Sequence, residues 1–286
     1  MSSNPPGTSG PVVDESDVTY CYGHPDTPTK LRCSRCDRLI CGRCAIPATV
    51  GQHCPWCVAE ARKSAPRVRS AMAATAPAVL AVVALSAAFF FAQQVIPGLT
   101  VRLGAIPAAI AAGQWYRLLT PMLLHAGLLH IGLNMFVLWI YGPSVEDAFG
   151  TARFVAMYVV TGFLGGAASF AFGACNSLGV GASGAIFGVV GVLLVHLYNR
   201  RRSSFVAGYM KNLMFFIGAN LVLGLLLPQI DYLAHLGGLA AGIALGAGLD
   251  RPDGRPAPAP LQFATFVAVI AVGAALVLWR ATTFSC

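Results

Sequence analysis

From Ala71 onward, long apolar runs alternate with short polar connectors. Seven of the runs approach the roughly 17–25 residues that a membrane-crossing helix needs: Ala71–Val95, Met122–Tyr141, Phe154–Phe172, Ser183–Tyr198, Asn212–Leu227, Ala234–Leu249 and Leu261–Trp279. The pattern predicts an all-α polytopic membrane protein. The fourth and sixth runs are short and Gly-rich, with polar residues at their ends. Such helices fit the border of an aqueous cavity, where the bilayer need not be crossed in full contact with lipid. Ahead of the runs, Met1 to Val18 holds Pro, Gly, Ser and acidic residues but no apolar h-region, which predicts a disordered tail that stays in the cytoplasm.

Composition agrees with this division: 56% of residues are hydrophobic, 10% are charged, and Gly occurs 31 times. The charge is uneven, because residues 1–70 carry nearly half of the 19 Lys and Arg. Cytoplasmic connectors carry the basic excess. Arg62, Lys63, Arg67 and Arg69 precede the first run, Arg200, Arg201 and Arg202 follow the fourth, and Arg251 and Arg255 follow the sixth. These three clusters place the N-terminus inside and, with seven spans, the C-terminus outside, leaving Arg102, Arg117 and Arg280 on the outer side.

That topology sends the second, fourth and sixth spans inward, so depth can be counted at 1.5 Å per residue. Ser183 lies about 26 Å above Arg200, His235 about 22 Å above Asp250, and His130 about 24 Å above Glu146. Polar and ionisable groups in a span mark functional sites unless they are paired away, and these three share a level near the outer leaflet. A serine hydroxyl needs a neighbouring base to become a nucleophile, and His235 could accept its proton. Asp231 is the nearest carboxylate, but four residues upstream in a loop it is expected to face water, so a dyad without an acid is preferred. Gly184 with Gly188 and Gly238 with Gly242 form two small-residue faces that would let the helices meet. His130 and Asn134, spaced i, i+4 on one face of the second span, could donate to a developing oxyanion together with the Ser183 N–H. Taken singly, each pair reads more often as an ordinary helix contact.

Three motifs in order tip the balance: Gly113-Gln114-Trp115-Tyr116-Arg117 with His130-x-x-x-Asn134, then Gly181-x-Ser183-Gly184, then Ala234-His235-x-x-Gly238-x-x-x-Gly242. From about Ala71 to Trp279 the chain resembles the rhomboid intramembrane serine proteases. The resemblance implies that Ser183 is the nucleophile, His235 the general base, and His130 with Asn134 the oxyanion hole, with no catalytic cofactor. It implies six core helices, here with one extra C-terminal span, and a first external loop, Ile96 to Pro121, lying partly in the outer leaflet. Its substrates would be membrane-anchored proteins cleaved in or near a transmembrane segment. Phe187 stands where some rhomboids carry a Tyr stacked on the catalytic His; the ring, and hence the stack, is expected to persist. Arg117, His125 and Glu146 read as residues that hold loop geometry, and His196 lies near the inner end of the fourth span, about 20 Å from Ser183.

The front end carries different chemistry. Cys21-x-x-His24, Cys33-x-x-Cys36, Cys41-x-x-Cys44 and Cys54-x-x-Cys57 supply eight ligands, enough for two structural zinc ions, with His53 as a competitor to Cys54. The segment resembles a B-box-type zinc finger. A cross-brace would join Cys21, His24, Cys41 and Cys44 at one site and Cys33, Cys36, Cys54 and Cys57 at the other; sequential pairing is the alternative. Arg32, Arg35, Arg38 and Arg43 admit nucleic acid as a minor partner, but Asp26 and Asp37 dilute the charge, so a cytoplasmic protein partner or substrate recruitment is preferred. Cys175 and Cys286 both fall outside, where a disulfide is permitted.

The domain division read from the sequence is therefore a tail at 1–18, a zinc-binding domain at 19–58, a basic linker at 59–70 and a membrane domain at 71–286, in a multi-pass protein of the cell membrane. Two other functions compete. A non-proteolytic rhomboid-like client-binding protein would normally lack the Ser or the His. A secondary transporter would place carboxylates inside the spans, and none occurs between Phe154 and Leu227.

Overall fold

A computed structural model describes residues 18–48, 50–64, 76–201 and 204–285, in two compact units, 1–68 and 69–286. The expected tail, apart from Val18, and residues 65–70 of the basic linker lie outside the described residues.

In the first unit, strands β1 (Tyr20–Cys21) and β2 (His24–Pro28) pair antiparallel, as do β3 (Ile46–Pro47) and β4 (Gln52–His53). Helix α1, Pro55–Ser64, follows and extends past residue 58 into the stretch read as linker. The buried cluster consists of Cys21, Cys33, Cys41, Cys44, Cys54, Cys57 and a single large aliphatic, Ile40. A core of six thiols and one isoleucine has little apolar area to set against chain entropy. The fold of this unit therefore depends on what the thiols bind.

The second unit is helical. It comprises α2 (Pro77–Val95), the short α3 (Leu99–Leu103) and α4 (Pro107–Ala111), then α5 (Leu128–Phe149), α6 (Thr151–Phe172), α7 (Ser183–Asn199), α8 (Ser204–Leu226), α9 (Tyr232–Leu249) and α10 (Ala259–Thr282). Six of these helices are long and apolar enough to cross a membrane, and α7 is a shorter apolar helix. The second span differs most from expectation. The apolar stretch around Met122 forms a 3-10 turn, Thr120–Leu123, and a loop before α5 begins at Leu128, and α5 then runs through Pro143 to Phe149. Met122 and Leu124 are apolar because they are buried in protein. Pro143 is tolerated because neighbouring helices can resatisfy the backbone of a membrane helix.

Helix α6 is the most buried of the long helices, with 67% of its apolar window inside the protein. Helix α7 is covered along most of its length by α6 and α9. On the far side of α6, α10 packs with Gly273 against Phe163 and Trp279 against Phe172. Glu146 lies inside α5 and is buried; its two carboxylate oxygens accept the Ala78 and Val79 backbone N–H groups at 3.0 Å each, and one also accepts the Thr151 hydroxyl at 2.8 Å. It thus caps the positive end of α2 and ties that end to the α5–α6 corner.

The segment between α2 and α5 is held by side chain to backbone bonds. Arg117, buried, donates to the carbonyls of Val101 (2.7 Å) and Gly104 (2.6 Å) and to Gln114 Oε1 (2.7 Å). Thr120 donates to the Leu103 carbonyl at 2.6 Å. Gln93, in the last turn of α2, accepts from His125 N–H and donates to the His125 carbonyl. The geometric role expected of Arg117 is the one it has.

Candidate active site and metal sites

The close approach of α7 and α9 is a backbone contact. A Cβ added to Gly238 would collide with the carbonyl oxygen of Gly184, and one added to Gly242 with that of Gly188. The matched order of the two pairs, 184 with 238 and 188 with 242, means that the helices run parallel. In lipid no hydrophobic force drives helices together, so such close approach, with its dispersion contacts, is the main source of association. Helix α6 joins the same junction: a Cβ on Gly165 would stand 2.8 Å from the Ala234 carbonyl oxygen, and one on Gly188 would strike Thr161.

Ser183 is the first residue of α7, half-buried, and directly precedes the Gly184 contact. Gly181 precedes it with φ of +132°, a backbone region open to glycine, and its N–H donates to the Pro121 carbonyl at 2.9 Å. This kink brings His130 to Ser183. A Cβ on Gly181 would lie 2.9 Å from His130 Nε2 and 3.8 Å from Ser183 Oγ, so the glycine is required by space as well as by its dihedral. No side chain caps α7, whose first N–H groups have no intrahelical partner.

His130 Nδ1 accepts the Ala126 backbone N–H at 3.2 Å. An accepting Nδ1 in a neutral imidazole leaves the proton on Nε2, the nitrogen beside Gly181 and Ser183. Asn134, buried one turn later, donates one amide hydrogen to the His130 carbonyl at 2.9 Å and keeps the other. His125 lies edge-on to the His130 ring at 5.3 Å, and burial, with the charge of His130 second, pushes its pKa down to about 4. It is a neutral packing partner.

His235 is buried in the first turn of α9, and its ring stacks on Phe187 with centroids 4.2 Å apart and planes 10° from parallel. The expected stack is present. Its Nδ1 has no hydrogen-bond partner among the described residues. Asp231 is exposed, as expected, yet engaged: it is the N-cap of α9, accepting the Ala234 N–H at 2.9 Å, and its other oxygen accepts the Ser169 hydroxyl of α6. An Asp three residues before Ala234 at the head of an apolar helix is a capping signal legible in sequence; its partner on α6 is not.

At the C-terminal ends of α7 and α9, Arg200 bonds both oxygens of buried Asp250, and His196 Nδ1 lies 3.0 Å from the same carboxylate. His196 thus belongs to a structural cluster joining α7 to the end of α9. Cys175 is disulfide-bonded, and Cys286 lies outside the described residues.

In the first unit, Cys21, His24, Cys41 and Cys44 form one tetrad and Cys33, Cys36, Cys54 and Cys57 another, each with its ligand atoms within 4.8 Å of one another. This is the cross-brace. His53 lies outside both tetrads, in β4. Tetrahedral Zn–S bonds of about 2.3 Å require sulfurs about 3.8 Å apart. Cys21 and Cys44 are 3.8 Å apart, Cys36 and Cys54 3.7 Å, and Cys41 Sγ lies 3.5 Å from His24 Nδ1. Burial, and then the neighbouring sulfurs, push the Cys44 and Cys57 thiols up, a crowding of thiolates that a bound cation would relieve. The donor set, spacing and electrostatics fit a structural zinc at each tetrad, with four protein ligands and no open position.

The chain matches the Rhomboid domain over residues 112–252. It is 40% identical over 165 residues to Rhomboid protease GluP of Bacillus subtilis (strain 168), a match covering 57% of this chain and 32% of that protein. It is 33% identical over 138 residues to the putative rhomboid protease YdcA of the same organism, covering 48% of this chain and 68% of that one. A Rhomboid-type serine protease 2 of Emericella nidulans is 33% identical over 146 residues, covering 50% of this chain and 28% of that one. The chain thus spans about a third of the length of GluP.

Proposed function

The chain belongs to the rhomboid family, and on that premise we propose that it is an intramembrane serine endopeptidase using Ser183 as nucleophile and His235 as general base. The observation that carries this reading is the junction at Gly184 and Gly238, which sets the head of α7 against the first turn of α9 while Phe187 holds the His235 ring. His235 would take the Ser183 proton as Oγ attacks the scissile carbonyl, then return it to the leaving amine. His130 Nε2–H, the second amide hydrogen of Asn134 and the Ser183 N–H would donate to the oxyanion. The substrate is a membrane-anchored protein whose transmembrane segment can unwind, since an intact helix hides its carbonyls in hydrogen bonds. The basic connectors support an N-terminus inside and a site opening to the outer side.

Two zinc ions would fold the N-terminal unit as a B-box-type module that recruits a cytoplasmic protein or substrate. They take no part in peptide hydrolysis.

Ser183→Ala and His235→Ala should each abolish cleavage of a tagged single-span test protein without reducing the amount of full-length enzyme in the membrane. Retained cleavage by either variant sinks the dyad.

A further inference from the structure

We propose that Asp231 is a positioning residue for His235, acting through the backbone of α9 and anchored on α6 by Ser169. The inference rests on the protease reading above and adds to it a carboxylate that orients the base without touching its imidazole.

Three observations converge. First, Asp231 holds two successive amides at the head of α9: its carboxylate accepts the Ala234 N–H at 2.9 Å, and its carbonyl accepts the His235 N–H at 3.2 Å. A capping side chain that engages the N3 amide sets the rotation of the first turn, and His235 is the next residue. Second, the cap is tied to a second helix. The Ser169 hydroxyl in the last turn of α6 donates to the other Asp231 oxygen, and one turn earlier Gly165 lies against the Ala234 carbonyl. Because α6 is the most buried of the long helices, it is a fixed reference for that turn. Third, Nδ1 of the buried His235 finds no hydrogen-bond partner among the described residues, so no acid orients the imidazole directly, and its ring stacks on Phe187. In a Ser-His-Asp triad the carboxylate orients the ring directly. Here the ring is placed from α7 by stacking, and the Cα of His235 from α6 through Ser169 and Asp231.

The test uses the full chain in detergent, with a single-span test protein as substrate and a fluorophosphonate probe that labels an activated serine. Asp231→Ala should lower kcat about tenfold with KM unchanged, because a base displaced by a fraction of an ångström penalises the chemical step rather than binding. Fluorophosphonate labelling should slow by the same factor. Asp231→Asn, which can still accept from Ala234 and pair with Ser169, should stay within about twofold of the parent. Ser169→Ala removes only the tie to α6 and should cost about threefold, which keeps the proposal testable if Asp231→Ala fails to fold. A parent-like kcat in both Asp231→Ala and Ser169→Ala, a loss confined to KM, or an Asp231→Asn as impaired as Asp231→Ala overturns the proposal. Ser183→Ala in the same assay separates the two levels. If it still cleaves, the protease reading falls; if it is inactive while Asp231→Ala is not, only the positioning role falls.

Discussion

The two units solve the problem of a small core in opposite ways. The N-terminal unit gathers six buried thiols into two tetrads that could each hold a metal ion, and its strands are two to five residues long. The membrane unit brings backbone onto backbone, with Gly184, Gly188, Gly238 and Gly242 removing the side chains that would hold α7 and α9 apart. One unit is built to be stabilised by a ligand and the other by the absence of atoms. The difference teaches where each is fragile: the first to chelation, the second to a single added methyl group.

The largest expected effect comes from metal removal. Structural zinc contributes on the order of 10–16 kcal/mol in small zinc modules, so a strong chelator should unfold residues 18–64 while amide-exchange protection in α5–α9 stays unchanged. Elemental analysis of the purified full chain should find two zinc ions per protein. Loss of protection in both units together would erase the contrast.

Next in size is the glycine junction. Gly238→Val drives a side chain into the Gly184 carbonyl, which as backbone cannot yield, and should cost about 3 kcal/mol or more, along with cleavage activity. Gly218, in α8, has nothing within 4 Å of an added Cβ. There Gly218→Ala should be neutral or stabilise by up to about 1 kcal/mol. Comparing the two thermal midpoints in one detergent shows whether close approach, and not glycine content, holds the membrane unit together.

The smallest effect probes whether charge matters in the membrane unit at all. Glu146→Gln keeps the shape and one acceptor of the α2 cap but removes its charge, and should cost about 1–2 kcal/mol. A thermal midpoint unchanged from the parent would assign the cap no electrostatic share.

Much of this was legible along the chain. The apolar runs, the pairing of the glycine faces and the eight ligands follow from residue type and spacing, because helix rise and metal coordination number are fixed by covalent and coordination geometry, whereas the choice of the cross-brace over sequential pairing comes from the fold. The second span departs from the expectation because an apolar stretch looks the same whether lipid or protein covers it: Met122, Leu124 and His125 are buried in the turn and loop ahead of α5. Asp231 is exposed, as its loop position predicts, but no local pattern shows that Ser169, 62 residues away, ends its helix beside it.

By itself, then, the sequence determined the helical membrane unit and the eight Cys and His ligands in four close pairs, since each depends on local periodicity or on spacings of a few residues. Only the tertiary structure decided which nitrogen of His130 carries its proton and that Asp231 is bound to α6. Those depend on contacts between helices whose approach is set by backbone collisions to within a few tenths of an ångström, a quantity no run of residue types records.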